Sequence, residues 1–219
     1  NLGLVLLQRG EINSAVAEFR EAIRAWPEYA DAHLNLGGAL VSVEIEEAIR
    51  ELQRAVELRP DHAPSRYNLA LAYEIKYDVD REIEQLEKVL EIDPRHSSAH
   101  YSLGRAKLKK GIVDEAILHL REAIKLKPDY DLAIINMANA YRRMGKDDAA
   151  LAGYERYIAI DPENAFVRYQ IGEIYLDQGN HEREKLPERE DEPLAGGFDA
   201  LRRIFTRLKP TGKQQHRRV

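Results

Sequence analysis

A polar residue, an aliphatic residue and then Gly or Ala return along the chain at a nearly constant interval. The instances are Asn1-Leu2-Gly3, Asn35-Leu36-Gly37, Asn68-Leu69-Ala70, Ser102-Leu103-Gly104, Asn136-Met137-Ala138 and Gln170-Ile171-Gly172. Prolines keep the same phase at Pro27, Pro60, Pro94, Pro128 and Pro162. Proline cannot continue a helix interior and pushes the preceding residue towards extended geometry, so each marks a break. Gly10, Gly111, Gly145 and Gly179 mark a second break between amide and proline. Two breaks per repeat leave two segments of about a dozen residues, an ordinary helix length.

Helical spacing within the second segment supports this. Ala15, Ala48, Ala116 and Ala150 are followed four residues later by Phe19, Leu52, Leu120 and Tyr154, with Leu86 in the same column. Ala22, Ala55, Val89, Ala123 and Tyr157 come three residues further on. Offsets of 0, 4 and 7 share one helical face. Small residues there allow close helix approach while the large one fills the space between.

These columns resemble the tetratricopeptide repeat, a helix–turn–helix unit of 34 residues. The resemblance covers residues 1–180 and implies an all-α fold: a right-handed α-solenoid of about five helical pairs and a terminal capping helix. Repeats are expected at about 1–29, 30–62, 63–96, 97–130 and 131–164, with a half repeat at 165–180. Repeat two is one residue short and has no turn Gly. Repeat three carries Tyr77 at the turn and Glu82 in the Ala column, so a looser junction is expected there. Lys107 replaces Leu or Tyr in repeat four, where its alkyl stem would cover core and its ammonium reach water.

The amide does not share the packed face. With the amide at 0° and 100° per residue, the Leu column stands at 100° and the Gly/Ala column at 200°. On the other side of the amide lie Leu34, Tyr67, Tyr101, Ile135 and Tyr169, together with Leu71, Arg105, Asn139 and Arg142. By resemblance this face lines a concave groove. An amide offers both donor and acceptor, so one per repeat would pair with the backbone of an extended peptide. The arrangement is similar to the asparagine ladder of the O-GlcNAc transferase repeat domain, carried here by Asn35, Asn68 and Asn136, with Ser102 and Gln170 as differing rungs. The expected groove residues are Asn35, Tyr67, Asn68, Leu71, Tyr101, Arg105, Asn136, Asn139, Arg142 and Tyr169. A groove role for Tyr67 and Tyr101 predicts exposed rings. Arg105, Lys109, Arg142 and Arg143 would favour an acidic ligand.

Composition adds limits. With 44% hydrophobic and 32% charged residues the chain suits a helix-rich soluble or peripheral protein, a cytoplasmic place being slightly favoured over others. No apolar run approaches the ~20 residues that span a bilayer. The absence of Cys removes thiolate ligands and thiol nucleophiles. His96 and His100 have the i,i+4 spacing of a metal pair, but His96 falls in a turn and no third ligand is evident. No catalytic constellation, cofactor motif or metal site is expected.

Residues 181–193 read as charged linker. Residues 194–209 form an amphipathic stretch with Phe198, Leu201, Ile204, Phe205 and Leu208 on one face and Arg202, Arg203 and Arg207 outside it. A basic tail follows at 210–219. That helix, about three turns long, needs a partner surface: the solenoid, another protein or an anionic membrane. The leading expectation is a non-catalytic module holding an extended segment of a partner protein, within a multiprotein complex; nucleic acid is not expected. The alternative is an assembly scaffold recruited to a membrane or complex through its C-terminal segment. The regulatory domain of an enzyme is a third.

Overall fold

The computed structural model describes residues 2–184. Asn1, the linker from residue 185, the amphipathic stretch with Phe198, Leu201, Ile204, Phe205 and Leu208, and the basic tail lie outside the described residues. Within them every element is helical: α1 (Leu2–Gln8), α2 (Ile12–Ala25), α3 (Ala30–Leu40), α4 (Ile45–Leu58), α5 (Ala63–Ile75), α6 (Val79–Ile92), α7 (Ser97–Lys109), α8 (Val113–Leu126), α9 (Asp131–Arg143), α10 (Asp147–Ile160) and α11 (Ala165–Glu184). The fold is an all-α helical repeat. The chain divides into two compact units, one up to Ala140 and one from Tyr141.

In the first unit each odd-numbered helix packs on the even-numbered one that follows. The predicted columns form the seam. Ala15, Ala48, Ala116, Leu52, Leu86, Leu120, Ala55, Val89 and Ala123 are fully buried, as are Leu36 and Leu103 opposite them. Gly37 and Gly104 are required there, because an added Cβ would stand 2.6 Å from Leu52 Cγ or 2.8 Å from Leu120 Cγ. In the second unit α10 packs on α11.

The prolines work as their spacing predicts. Trp26, Arg59, Asp93, Lys127 and Asp161 each precede a proline, end a helix, and have left helical geometry while their N–H still donates to the carbonyl four residues back. The turns within repeats use a left-handed residue. Gly10, Gly111 and Gly145 have φ of 76°, 76° and 68°. The residue after each closes the turn, as when the Ile112 N–H donates to the Lys107 carbonyl at 2.9 Å. Tyr77 takes the same conformation with φ 61°, which costs a non-glycine residue about 1–2 kcal/mol. Repeat two has no left-handed residue. Its turn is shorter, and the Glu44 N–H donates to the Leu40 carbonyl only four residues back.

Two expectations change. The junction of repeats two and three is filled rather than loose: Ile49, Leu52, Leu69, Ala72 and Tyr73 pack as one cluster. Gly179 does not end the last helix, since α11 continues to Glu184 and absorbs the first residues read as linker. A single Gly in a helix costs only about 1 kcal/mol, which the neighbouring helical residues can offset.

Candidate functional site

The amide column lies on the first helices of the repeats. Asn35 on α3 and Asn68 on α5 are half-exposed, and neither amide is engaged by another described residue. Their freedom follows from the helix angle, which points them away from the Leu and Gly columns. Asn136 on α9 is also half-exposed, but its Nδ2 donates to the Leu132 carbonyl of its own helix at 2.7 Å. Its side-chain carbonyl and its second N–H remain open. Ser102 on α7 is buried, with its hydroxyl 3.5 Å from that of Tyr67. The column thus has two open rungs, one half-engaged and one occupied by a tyrosine. Gln170, the last, belongs to the other unit.

The aromatic neighbours separate. Tyr67 is half-exposed, its ring centroid 4.9 Å from that of His96. Tyr101 is buried, contrary to the exposure expected of it. Tyr130, in the connection to α9, has its ring centroid 5.0 Å away, and the Arg105 guanidinium stands over the Tyr101 ring, 5.5 Å from its centroid. Burial pushes the hydroxyls of Tyr101 and Tyr130 above their ordinary value. Leu71 is half-exposed beside Asn68; Asn139 is half-exposed and engaged.

The basic residues are not free. Arg105 pairs with Glu74 of α5, and Lys109 reaches Glu74 at 3.7 Å and Glu82 at 3.2 Å. Within the second unit Arg142 bridges Asp147, at 2.8 Å, and Asp177. The hydrogen bond to Asp177 outweighs the effect of burial and holds the Arg142 guanidinium above its ordinary value. Tyr169, in that unit, is exposed, and the Glu173 carboxylate raises its hydroxyl. The preference for an acidic ligand is therefore corrected, because three of its four cations are neutralised internally. Lys107 is corrected in the same way. Burial pulls its ammonium down, but Glu115 at 2.6 Å and Glu87 at 3.2 Å outweigh it and hold the group charged.

Two columns have roles beyond the packing that the equivalent places of His33 and His100 at helix starts suggest. One supplies helix starts: Tyr29, His62, His96 and Asn164 stand ahead of α3, α5, α7 and α11. The Ala99 N–H donates to His96 Nδ1 at 3.1 Å, and the Val167 N–H to Asn164 Oδ1 at 3.1 Å. The other ties four of the five proline carbonyls to the helix after them, Ile134 standing in that column after Pro128. His33 Nε2 lies 2.9 Å from the Pro27 carbonyl and His100 Nε2 3.1 Å from that of Pro94. Arg66 and Arg168 donate to Pro60 and Pro162 at 2.7 and 2.9 Å. In the first unit the same side chains reach the second helix: His33 to Glu51, Arg66 to Gln85, and His100 to His119. Burial, reinforced by His100, pushes the His119 imidazole below its ordinary value. The repeat spacing of both columns was available as a signal. His96 and His100 are thus a cap and a latch, and among the described residues no three His, Asp or Glu side chains converge on a metal site.

A family model described as TPR repeat matches residues 3–42, 104–145 and 138–179. One described as Tetratricopeptide repeat matches residues 44–96. Among solved structures, the crystal structure of MamA is 22% identical over 75% of this chain and 97% of its own, with a TM-score of 0.70. MamA from Desulfovibrio magneticus RS-1 is 19% identical over 75% and 94%, with a TM-score of 0.70. YrrB, described as a TPR protein with an unusual peptide-binding site, is 24% identical over 88% and 93%, with a TM-score of 0.68. No curated protein sequence matches the chain. At these identities the structural likeness is one of fold.

Proposed function

The chain belongs to the tetratricopeptide-repeat family, whose helical repeats are scaffolds for protein–protein interaction, and we propose that its first unit binds an extended, non-acidic segment of a partner protein along α3, α5 and α7, without catalysis. The observation that carries the reading is the pair of open amides, Asn35 and Asn68, one repeat apart. A buried or half-buried amide ordinarily finds a partner in its own chain. These two present a donor and an acceptor each, on neighbouring first helices, beside Leu71 and the exposed part of Tyr67. First helices spaced about 10 Å apart would meet an extended peptide at about every third residue. Backbone pairing at those points is indifferent to peptide sequence, so selectivity falls to the apolar residues between the rungs. YrrB, which shares the fold, has a peptide-binding site, and that lends the reading support.

Internal neutralisation of Arg105 and Lys109 sets the charge preference. A peptide carboxylate would have to displace Glu74, whereas a neutral segment leaves the network undisturbed. The experiment is hydrogen-exchange footprinting with a twelve-residue peptide selected on the full chain from a random display library. Slower amide exchange in α3, α5 and α7 is expected, with α4 and α6 unchanged. Protection confined to the second helices would exclude the reading.

A further inference from the structure

Within the second unit, α11 leaves open a face that its counterparts keep covered. On α3 and α7 the glycine beyond the Leu column receives the second helix of its repeat, through Leu52 and Leu120. The tyrosine ahead of the amide column is covered by the following connection, Tyr67 by His96 and Tyr101 by Tyr130. The α11 counterparts are Gly172, where an added Cβ would meet no atom within 4 Å, and Tyr169, which is 61% exposed. Phe166 and Leu176 share that face at 56% and 40% exposure, while Val167, Ile171 and Ile174 bury the opposite side.

We propose that residues 198–208 of the same chain dock antiparallel on this face, as the second helix of the sixth repeat. Leu201, Phe205 and Leu208 repeat the 0, +4, +7 spacing that α4 fills with Ala48, Leu52 and Ala55 and α8 with Ala116, Leu120 and Ala123. Pro210 follows Leu208 by two residues, where Pro60 and Pro128 follow Ala55 and Ala123 by five, so the segment ends about one turn earlier than α4 and α8 do. Phe205 falls in the +4 column, which elsewhere holds Phe19, Leu52, Leu86, Leu120 and Tyr154. Gly172 leaves the room that a ring requires. The sixth repeat is then an ordinary pair with an insertion between its helices.

Reach and charge agree. Residues 185–197 extend to about 40 Å, more than the roughly 30 Å length of a twenty-residue helix, so the segment can return along α11. Glu173 borders the open face, and Arg202, Arg203 and Arg207 flank the apolar stripe of the segment. Docking joins the amphipathic stretch and the apolar face of α11 in one buried seam, the arrangement on which the other repeats are built.

The chain has no cysteine, so introduced pairs report proximity without interference. In the full chain, Leu176→Cys with Leu201→Cys and Tyr169→Cys with Leu208→Cys would each be oxidised at several protein concentrations. Ala159→Cys with Leu201→Cys serves as control. Within-chain disulfides are expected in both test pairs, at yields independent of concentration and at least fivefold above the control, with helicity retained. Either pair alone decides if the other lowers helicity. Disulfide-linked dimers whose yield grows with concentration would assign the face to a second copy and overturn the proposal. Yields no higher than the control would overturn it as well.

Discussion

Glu82 shows how much one residue can decide inside a repeat. Its column is otherwise alanine, and the structure buries its carboxylate to 1% exposure. Lys109 holds one oxygen at 3.2 Å, and the other has no partner. Burial pushes the carboxyl above its ordinary value, with Lys109 opposing it. The folded state therefore favours the protonated form. Its stabilisation is complete below the ordinary carboxylate range and is lost as pH rises through the raised folded value. Glu82→Gln keeps the shape and removes the charge, so it should raise the unfolding free energy near pH 8 by about 1 kcal/mol, the scale of one unpaired buried acceptor. Urea melts at pH 5 and pH 8 check this: the variant should lose less stability between them than the parent. A variant less stable at pH 8 would show that the pair with Lys109 outweighs burial. Tyr101 teaches a related lesson. Its angle beside the amide column was legible, but its burial depends on Tyr130 from the next connection, and single-helix geometry does not carry that neighbour.

At the scale of the element, the period, the paired helices and the seam were legible because one spacing requirement recurs in every repeat. A Gly or Ala must face a large residue from the second helix, and the proline must end it. What spacing alone did not give were the partners of side chains set by two columns at once: the proline carbonyls that His33, Arg66 and His100 reach, and the neutralisation of Arg105 by Glu74. Gly179 misled for a different reason, since a single glycine is tolerated inside a helix and does not by itself end one. Adjacent glycines on α3 test the seam. Gly37→Ala would place a Cβ 2.6 Å from Leu52 Cγ and 3.0 Å from the Ala48 carbonyl oxygen, and should cost about 1–3 kcal/mol. Gly38 has nothing within 4 Å, so Gly38→Ala should gain about 0.5–1 kcal/mol from reduced chain entropy. Opposite shifts in chemical denaturation midpoint are the expected result; equal shifts would remove the close-approach explanation.

For the molecule as a whole, the proposed function assigns stability and recognition to different columns of the repeat. The columns that hold each helical pair together face inward, and of the amide column in the first unit Asn35, Asn68 and Asn136 are half-exposed while Ser102 is buried. Among the described residues no helix is long and apolar enough to cross a membrane. The claim on which the functional account rests is that Asn35 and Asn68 hold a peptide rather than the fold. Each lost amide contact is worth about 1 kcal/mol, so two lost together should weaken binding on the order of tenfold or more. The most direct measurement is calorimetric titration of a library-selected twelve-residue peptide into the parent chain and into Asn35→Ala/Asn68→Ala, with thermal melts alongside. The account predicts at least a tenfold rise in Kd with the melting temperature unchanged. Equal affinity in the two chains, with equal melting, would contradict it.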